Sequence, residues 1–132
     1  FKKKKLFLGI CIGMQVLAEI GEEFGINKGL GWIPGKVEKM RSKKLPHIGW
    51  NEVNIIQPSI LFNGFKENRD FYFVNSFHFN VKDTKCIIAK TDYDHSFCSA
   101  VRKENIFGTQ FHPEKSQQVG QLLLKNFINY NG

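Results

Sequence analysis

The sequence has few cysteines and no long apolar run, the features that are typical of secreted, metal-binding or membrane-spanning proteins. Its 132 residues include only three cysteines, Cys11, Cys86 and Cys98, and no two of them form a CxxC pair. An odd number of widely spaced cysteines argues against a disulfide framework or a zinc site and favours a reducing, cytoplasmic environment. No apolar run reaches the ~18 residues that a membrane-spanning helix requires. We therefore expect a cytoplasmic chain without a metal centre and without a membrane partner.

Acidic residues are also scarce, with 12 Asp and Glu against 19 Lys and Arg and a net charge of +7. Two clusters account for the excess, Lys2–Lys5 and the stretch 36–44. Neither cluster combines its charges with the aromatic residues or the groove-reading helix of a nucleic-acid binder. We therefore expect solvated basic surfaces and no nucleic-acid partner.

The start of the chain imitates a secretory signal, because lysines precede an apolar stretch from Leu6 to Ala18. Gln15 interrupts that stretch, Glu19 follows it directly, and no cleavage site of small residues ends it. The pattern instead predicts a buried strand over Leu6–Ile10 that turns sharply into a helix over residues 12–20.

The remainder of the chain predicts an α/β fold with a β-rich middle, in a single domain over residues 1–132. A hydrophobic content of 42% is enough for one substantial core. Alternating aromatic residues predict a strand over 71–81, and a final amphipathic helix follows Ser116. Between them we expect a hairpin turn at Lys103–Asn105 and strands over 86–91, 96–101 and 106–111.

The segment Gly9–Gly13 reads G-x-C-x-G between the predicted strand and helix, the thiol counterpart of a nucleophile elbow. Small neighbours let the chain bend tightly around Cys11, so that its side chain projects into a cleft. We expect the positive end of the helix to lower the pKa of the thiol, and the Ile12 N–H to serve as an oxyanion donor. A buried cysteine between two packing glycines fits these five residues equally well.

A thiol nucleophile needs a base, and the base needs an orienting group. Of the four histidines, His112 ends an apolar strand and is followed by Pro113 and Glu114. A stiff turn at Pro113 lets Glu114 fold back onto the imidazole and fix its tautomer. His112 and Glu114 are therefore the predicted partners of Cys11. No nucleotide-binding or metal-binding spacing is present, so we expect no cofactor.

Together, GICIGMQ and the distant QFHPEKS resemble the class I glutamine amidotransferases over nearly the whole chain. Within that family, GLGWIPG, LPHIGWN and FVNSF are similar to the glutaminase subunit of imidazole glycerol phosphate synthase. The resemblance implies a flavodoxin-like three-layer fold with a largely parallel central sheet. It also implies that the first part of the family's domain, about two βα units of ~30 residues each, is missing from this chain.

The resemblance further implies hydrolysis of L-glutamine to glutamate and ammonia. A separate (β/α)8-barrel cyclase subunit would use that ammonia to make imidazole glycerol phosphate and AICAR in histidine biosynthesis. In such a reaction Cys11 attacks the amide, His112 transfers protons and Glu114 orients His112. The other implied roles are an oxyanion donor at Ile12, glutamine binding at Gln15 and Ser76, and cyclase contacts at His47, Gly49, Trp50 and Asn51. For Trp50, a place in the core is an equally good interpretation.

Two positions depart from the family's pattern, since relatives usually carry His in place of Asn75 and often Gly in place of Asp94. Such changes also fit a paralogous glutaminase that feeds a sugar amidotransferase in surface-polysaccharide synthesis. A catalytically weak, partner-binding fragment and a stand-alone thiol hydrolase are further interpretations of the same residues.

Overall fold

The computed structural model describes residues 5–23, 25–66 and 69–130, so that Lys2–Lys4 of the first basic cluster lie outside the described residues. The strands are β1 (Phe7–Ile10), β2 (Ile20–Gly21), β3 (Asn27–Lys28), β4 (Gly35–Lys39), β5 (His47–Glu52), β6 (Asn54–Ile55), β7 (Asp70–Asn75), β8 (Phe77–Val81), β9 (Ile87–Asp92), β10 (Ser96–Lys103) and β11 (Ile106–Thr109). The helices are α1 (Ile12–Gln15) and α2 (Gln117–Ile128), with 3₁₀ turns at Ile60–Phe62, Thr84–Cys86 and Pro113–Lys115. None of the helices in these ranges is long and apolar enough to cross a membrane.

The main sheet has the strand order β1-β11-β10-β9-β6. Strand β1 runs parallel to β11, whereas the other three pairings are antiparallel. This mixed sheet differs from the expected largely parallel one, because the tight turn at Lys103–Asn105 and the short β9–β10 connection reverse the chain. Strand β1 is half-buried rather than fully buried, since it is an edge strand within the described part of the sheet.

Two cores lie on opposite faces of the main sheet. Successive residues of β11 divide between them, with Ile106 in one core and Phe107 in the other, as expected when side chains alternate along a strand. Leu123 of α2 packs with Phe107, and Met14 of α1 packs with Ile106. The result is the expected three-layer arrangement, with a helix on each side of the sheet.

The alternating run 71–81 forms two strands instead of the predicted one. Strand β7 pairs with β5, and β8 belongs to a separate sheet of order β3-β2-β4-β8. Phe71 and Phe73 enter the core beneath α2, whereas Phe79 and Val81 enter the core beneath α1. The break at Ser76 therefore lets one aromatic run serve both cores.

Helix α1 is shorter than the predicted 12–20. The carbonyl oxygens of Val16, Leu17 and Ala18 accept hydrogen bonds from the backbone N–H groups of residues 30, 33 and 31, respectively. Leu17 and Ala18 are fully buried by this loop. Tertiary packing thus ends the helix, although the local apolar pattern continues.

The predicted strands over 86–91, 96–101 and 106–111 correspond to β9, β10 and β11, and the predicted turn joins β10 to β11. Cys86 and Cys98 are buried in the core between these strands and α1. Burial raises the pKa of Cys98 to about 12, which makes this thiol unreactive at neutral pH.

Candidate active site

Cys11 occupies a strained bend between β1 and α1. Its backbone has φ 56° and ψ −107°, in the left-handed region that favours glycine, and such a conformation costs about 1–3 kcal/mol. A side chain at Gly9 would place Cβ only 2.4 Å from the carbonyl oxygen of Gly13, whereas a Cβ at Gly13 would meet nothing within 4 Å. The first glycine of G-x-C-x-G is thus a steric requirement of the bend, and the second is not.

The register of the sheet brings His112 to the same edge as Cys11. Strand β1 lies parallel to β11 with Ile10 opposite Thr109, and the Cys11 N–H donates to the Thr109 carbonyl oxygen at 2.7 Å. His112 follows β11 by three residues, and its own N–H donates to the Tyr72 carbonyl oxygen. Two carboxyl ends of neighbouring parallel strands therefore carry the two predicted catalytic side chains.

Glu114 lies against His112 across the 3₁₀ turn Pro113–Lys115. Its Oε2 is 2.8 Å from Nδ1 of His112. Buried Ser116 steadies the turn, because its hydroxyl donates to the His112 carbonyl oxygen and accepts the Tyr72 N–H. A carboxylate at Nδ1 selects the tautomer with the proton on that nitrogen, which leaves the Nε2 lone pair of His112 available as a base.

The thiol of Cys11 is half-buried, and besides the Ile12 N–H it contacts a backbone carbonyl and a side-chain amide. Its Sγ is 3.8 Å from the Val74 carbonyl oxygen and 3.6 Å from Nε2 of Gln110. Within the described residues no hydrogen bond joins it to His112. The structure also contradicts the prediction that the positive end of helix α1 lowers the pKa of this thiol.

Burial raises the pKa of Cys11, and the carboxylates of Glu114 and Glu23 raise it further. The hydrogen bond from the Ile12 backbone N–H opposes this effect, as does the charge of Lys115. Helix α1 has only four residues, so its dipole is too small to outweigh burial. The resting form of Cys11 is accordingly a neutral thiol.

A cavity of about 220 Å³ opens beside Cys11. Predicted residues Ile12, Gln15 and Ser76 line it together with Cys11. Glu23, Pro46 and Asn75 also line it, although no sequence motif predicted a binding role for them. In the sequence Glu23 simply follows Glu22, without a recognisable motif, and only the fold brings its carboxylate to the cavity.

The predicted cyclase-facing residues all belong to β5, but they differ in exposure. Trp50 is 49% exposed, so its alternative interpretation as a core aromatic is wrong. His47 is buried, stacked between Tyr93 and Phe73, and Asn51 links its ring to the Asp92 carbonyl oxygen. His47 thus supports the strand from inside, whereas Trp50 offers a surface.

The surface around Trp50 continues to the turn that carries His112 and Glu114. A second cavity of about 480 Å³ is lined by Trp50, Asp70, Ser116 and the first residues of α2. Gly49, with φ 126°, adopts a backbone conformation that other residues rarely take.

No group of three His, Cys, Asp or Glu side chains that could hold a metal ion occurs in the ranges the structure describes.

The family model described as "Glutamine amidotransferase class-I" matches residues 1–130. A Pelagibacter ubique protein named "Imidazole glycerol phosphate synthase subunit HisH" is 51% identical over 96% of this chain and 62% of its own length. The subunits of the same name from Methanocaldococcus jannaschii and Pyrococcus furiosus are each 51% identical, over 92% and 93% of this chain. This chain spans 62% and 64% of their lengths, so it matches less than two thirds of each relative.

Solved structures share the fold at lower identity. A Thermotoga maritima protein described as a glutamine amidotransferase superposes with a TM-score of 0.61 at 20% identity, covering 97% of this chain and 49% of its own. The glutaminase domain of Trypanosoma brucei CTPS, determined with bound acivicin, gives 0.66 at 18% identity, covering 99% and 63%. These similarities show that the chain shares the fold of glutamine amidotransferase domains.

Proposed function

Because this chain belongs to the class I glutamine amidotransferases, we propose that it hydrolyses the side-chain amide of L-glutamine at Cys11. One observation carries the proposal: a strained cysteine at the end of β1 opens into a cavity, and the next parallel strand ends in a His112–Glu114 pair. A buried structural cysteine would need neither the backbone strain nor the cavity.

The chemistry follows from the neutral state of the thiol. His112 takes the proton of Cys11 through Nε2 while Sγ attacks the amide carbon, and the Ile12 N–H donates to the resulting oxyanion. The imidazolium then gives its proton to the departing ammonia, which leaves a γ-glutamyl thioester. In the second half, His112 takes a proton from water as its oxygen attacks the thioester, and glutamate and the free thiol are released. Glu114 holds His112 in the required tautomer throughout.

The cavity carries groups suited to an amino acid. Gln15 and Ser76 provide hydrogen-bonding partners for glutamine, and the Glu23 carboxylate provides a counter-charge for its α-ammonium group. A volume of about 220 Å³ suits a small substrate. These features favour free glutamine over a peptide or a bulky thioester.

We propose that the ammonia serves a (β/α)8-barrel cyclase subunit, which makes imidazole glycerol phosphate and AICAR in histidine biosynthesis in the cytoplasm. The relatives at about half identity, all named subunits of imidazole glycerol phosphate synthase, support this pathway. Exposed Ile48 and Trp50 on β5 provide an apolar docking surface for such a subunit. The surface borders the second cavity, which reaches Ser116 and thereby the His112 turn.

The test is glutamate release from glutamine, measured for this protein alone and with an imidazole glycerol phosphate cyclase and its nucleotide substrate. We expect release to rise strongly when both are present. Trp50→Ala should lower the affinity for the cyclase. The matched control is Lys125→Ala, at an exposed position of α2. Absence of glutamate release with the loaded cyclase would contradict the proposed function.

A further inference from the structure

Gln110 is a fully buried polar side chain at the centre of the site, and the mechanism above does not use it. It directly follows β11, and its backbone N–H donates to the Ser99 carbonyl oxygen at 2.8 Å. Its side-chain amide contacts two functional residues: Nε2 is 3.6 Å from Sγ of Cys11, and Oε1 is 3.1 Å from Nε2 of Gln15. A buried amide with both ends engaged is held in one orientation.

The direction of these hydrogen bonds is fixed by the backbone. Nε2 of Gln15 lies 3.3 Å from the carbonyl oxygen of Phe77, which can only accept a hydrogen bond. The Gln15 amide must therefore present its donor end there, and the same nitrogen faces Gln110. Because that nitrogen donates, the facing atom of Gln110 must be its oxygen, and the Gln110 NH₂ group is left to face the sulfur.

The sulfur has two further neighbours, and they differ in their preference for its charge. The Ile12 backbone N–H donates to the sulfur and favours the thiolate. The Val74 carbonyl oxygen, 3.8 Å away, accepts from the thiol S–H and repels a thiolate. The Gln110 N–H has the opposite preference, since a donor interacts more strongly with the charged sulfur than with the neutral one. Loss of the thiol proton thus weakens the contact with Val74 and strengthens the contacts with Gln110 and Ile12.

We propose that Gln110 is a positioning residue that stabilises the Cys11 thiolate through its amide N–H and connects the sulfur to Gln15 in the wall of the glutamine cavity. The inference rests on the proposed role of Cys11 as nucleophile. The connection runs from the Phe77 carbonyl oxygen through Gln15 and Gln110 to Sγ. Any displacement of Gln15 is therefore transmitted to the donor that faces the sulfur.

The first test is the pH dependence of alkylation of Cys11 by iodoacetamide, followed by mass spectrometry of the Cys11 peptide. Gln110→Met keeps the approximate volume and removes the donor, so we expect alkylation at neutral pH to slow by about tenfold and the pH midpoint to rise. Gln110→Glu keeps the shape but places a carboxylate beside the sulfur, and it should slow alkylation further. Gln57→Met is the matched control, because the Gln57 amide donates only to the carbonyl oxygens of Lys85 and Ile87.

A second measurement needs no substitution at Gln110. In ¹⁵N NMR spectra of the unaltered protein, the Gln110 side-chain amide resonances should shift with the same pH midpoint as alkylation of Cys11. In Cys11→Ala that titration should disappear. This readout decides the question even if the Gln110 variants do not fold.

An alkylation profile of folded Gln110→Met equal to that of the unaltered protein would overturn the inference, as would amide resonances that do not follow Cys11. Neither readout uses glutamine. A protein that shows both effects but releases no glutamate retains the thiolate contact and loses the proposed function. One that releases glutamate without either effect retains the function and loses the role of Gln110.

Discussion

At the scale of single residues, the geometry of the site depends on short contacts that only particular side chains can make. The sequence predicted Cys11, His112 and Glu114 because each stands in a short local pattern with a chemical meaning. It assigned no role to Glu23 or to Gln110, although Gln110 begins the QFHPEKS motif. Only the fold places them at the Cys11 cavity and at the Cys11 sulfur, 12 and 99 positions away in sequence, respectively.

The two glycines of the elbow should respond differently to alanine. Gly9→Ala forces Cβ against backbone atoms, which must move, and we expect a loss of about 1–3 kcal/mol in the free energy of unfolding. Gly13→Ala adds a methyl group to open space within a helix and should change stability by less than about 1 kcal/mol. Urea unfolding of both variants measures the difference, and equal losses would refute the steric account of the bend.

Glu114 should act on turnover rather than on substrate affinity. Glu114→Gln retains the shape but removes the charge that selects the His112 tautomer, so we expect kcat to fall at least about tenfold with little change in KM. Steady-state glutamate release provides the measurement. Glu104→Gln, in the distant β10–β11 turn, is the control, and an unchanged kcat in Glu114→Gln would remove Glu114 from the mechanism.

At the scale of elements, sequence reasoning identified strands and helices better than their ends and partners. It found β9, β10, β11 and α2 from their apolar patterns, but it extended α1 to residue 20 and merged β7 with β8. Both errors have the same cause, because tertiary packing overrides a continuous local pattern. The loop 30–33 ends α1, and β7 and β8 pair into two separate sheets. The mixed sheet likewise follows from the short connections between β9, β10 and β11, which reverse the chain. The resemblance to the family implied a largely parallel sheet instead.

Helix α2 should hold the turn that carries His112 and Glu114 in place through one glycine. A Cβ at Gly120 would lie 1.8 Å from the Pro113 carbonyl oxygen, one residue after His112. Gly120→Ala should therefore push the helix from the turn, cost about 1–3 kcal/mol of stability and lower kcat. Exposed Gln121→Ala on the same helix is the control. Unfolding and glutamate release are measured together, and unaltered values for Gly120→Ala would show that the close approach is not needed.

At the scale of the whole molecule, part of the positive charge behind the net charge of +7 lies in surface ion pairs. Lys36 of the second basic cluster is paired with Glu22 and Glu38 on the surface. The two cores meet at the main sheet, and the proposed active site lies where β1, β11 and the break between β7 and β8 converge. Chemistry and folding thus depend on the same long-range contacts.

The stability of the folded chain should fall in mild acid. Burial lowers the pKa of His47 and of His78 from the ordinary value of 6.5, and the nearby charges of His95 and Arg41 add to the effect at His78, while Glu38 opposes it. The unfolded chain therefore binds protons more readily, so the stabilising contribution is complete above pH 6.5 and is lost as the pH falls below it.

Urea unfolding at a series of pH values tests this dependence. His78→Gln removes one of the two titrating groups and should flatten the fall in the free energy of unfolding below pH 6.5. The unaltered protein should show no comparable fall between neutral pH and pH 6.5. A stability independent of pH in mild acid would contradict the burial of neutral imidazoles.

The proposed function depends most directly on Cys11 as the nucleophile that attacks glutamine. We would incubate the protein with glutamine and the loaded cyclase, quench in acid and search the cysteine peptides by mass spectrometry. We expect a γ-glutamyl adduct on the Cys11 peptide, none on the peptides of Cys86 or Cys98, and neither adduct nor glutamate release in Cys11→Ala. Glutamate release that persists in Cys11→Ala would contradict it.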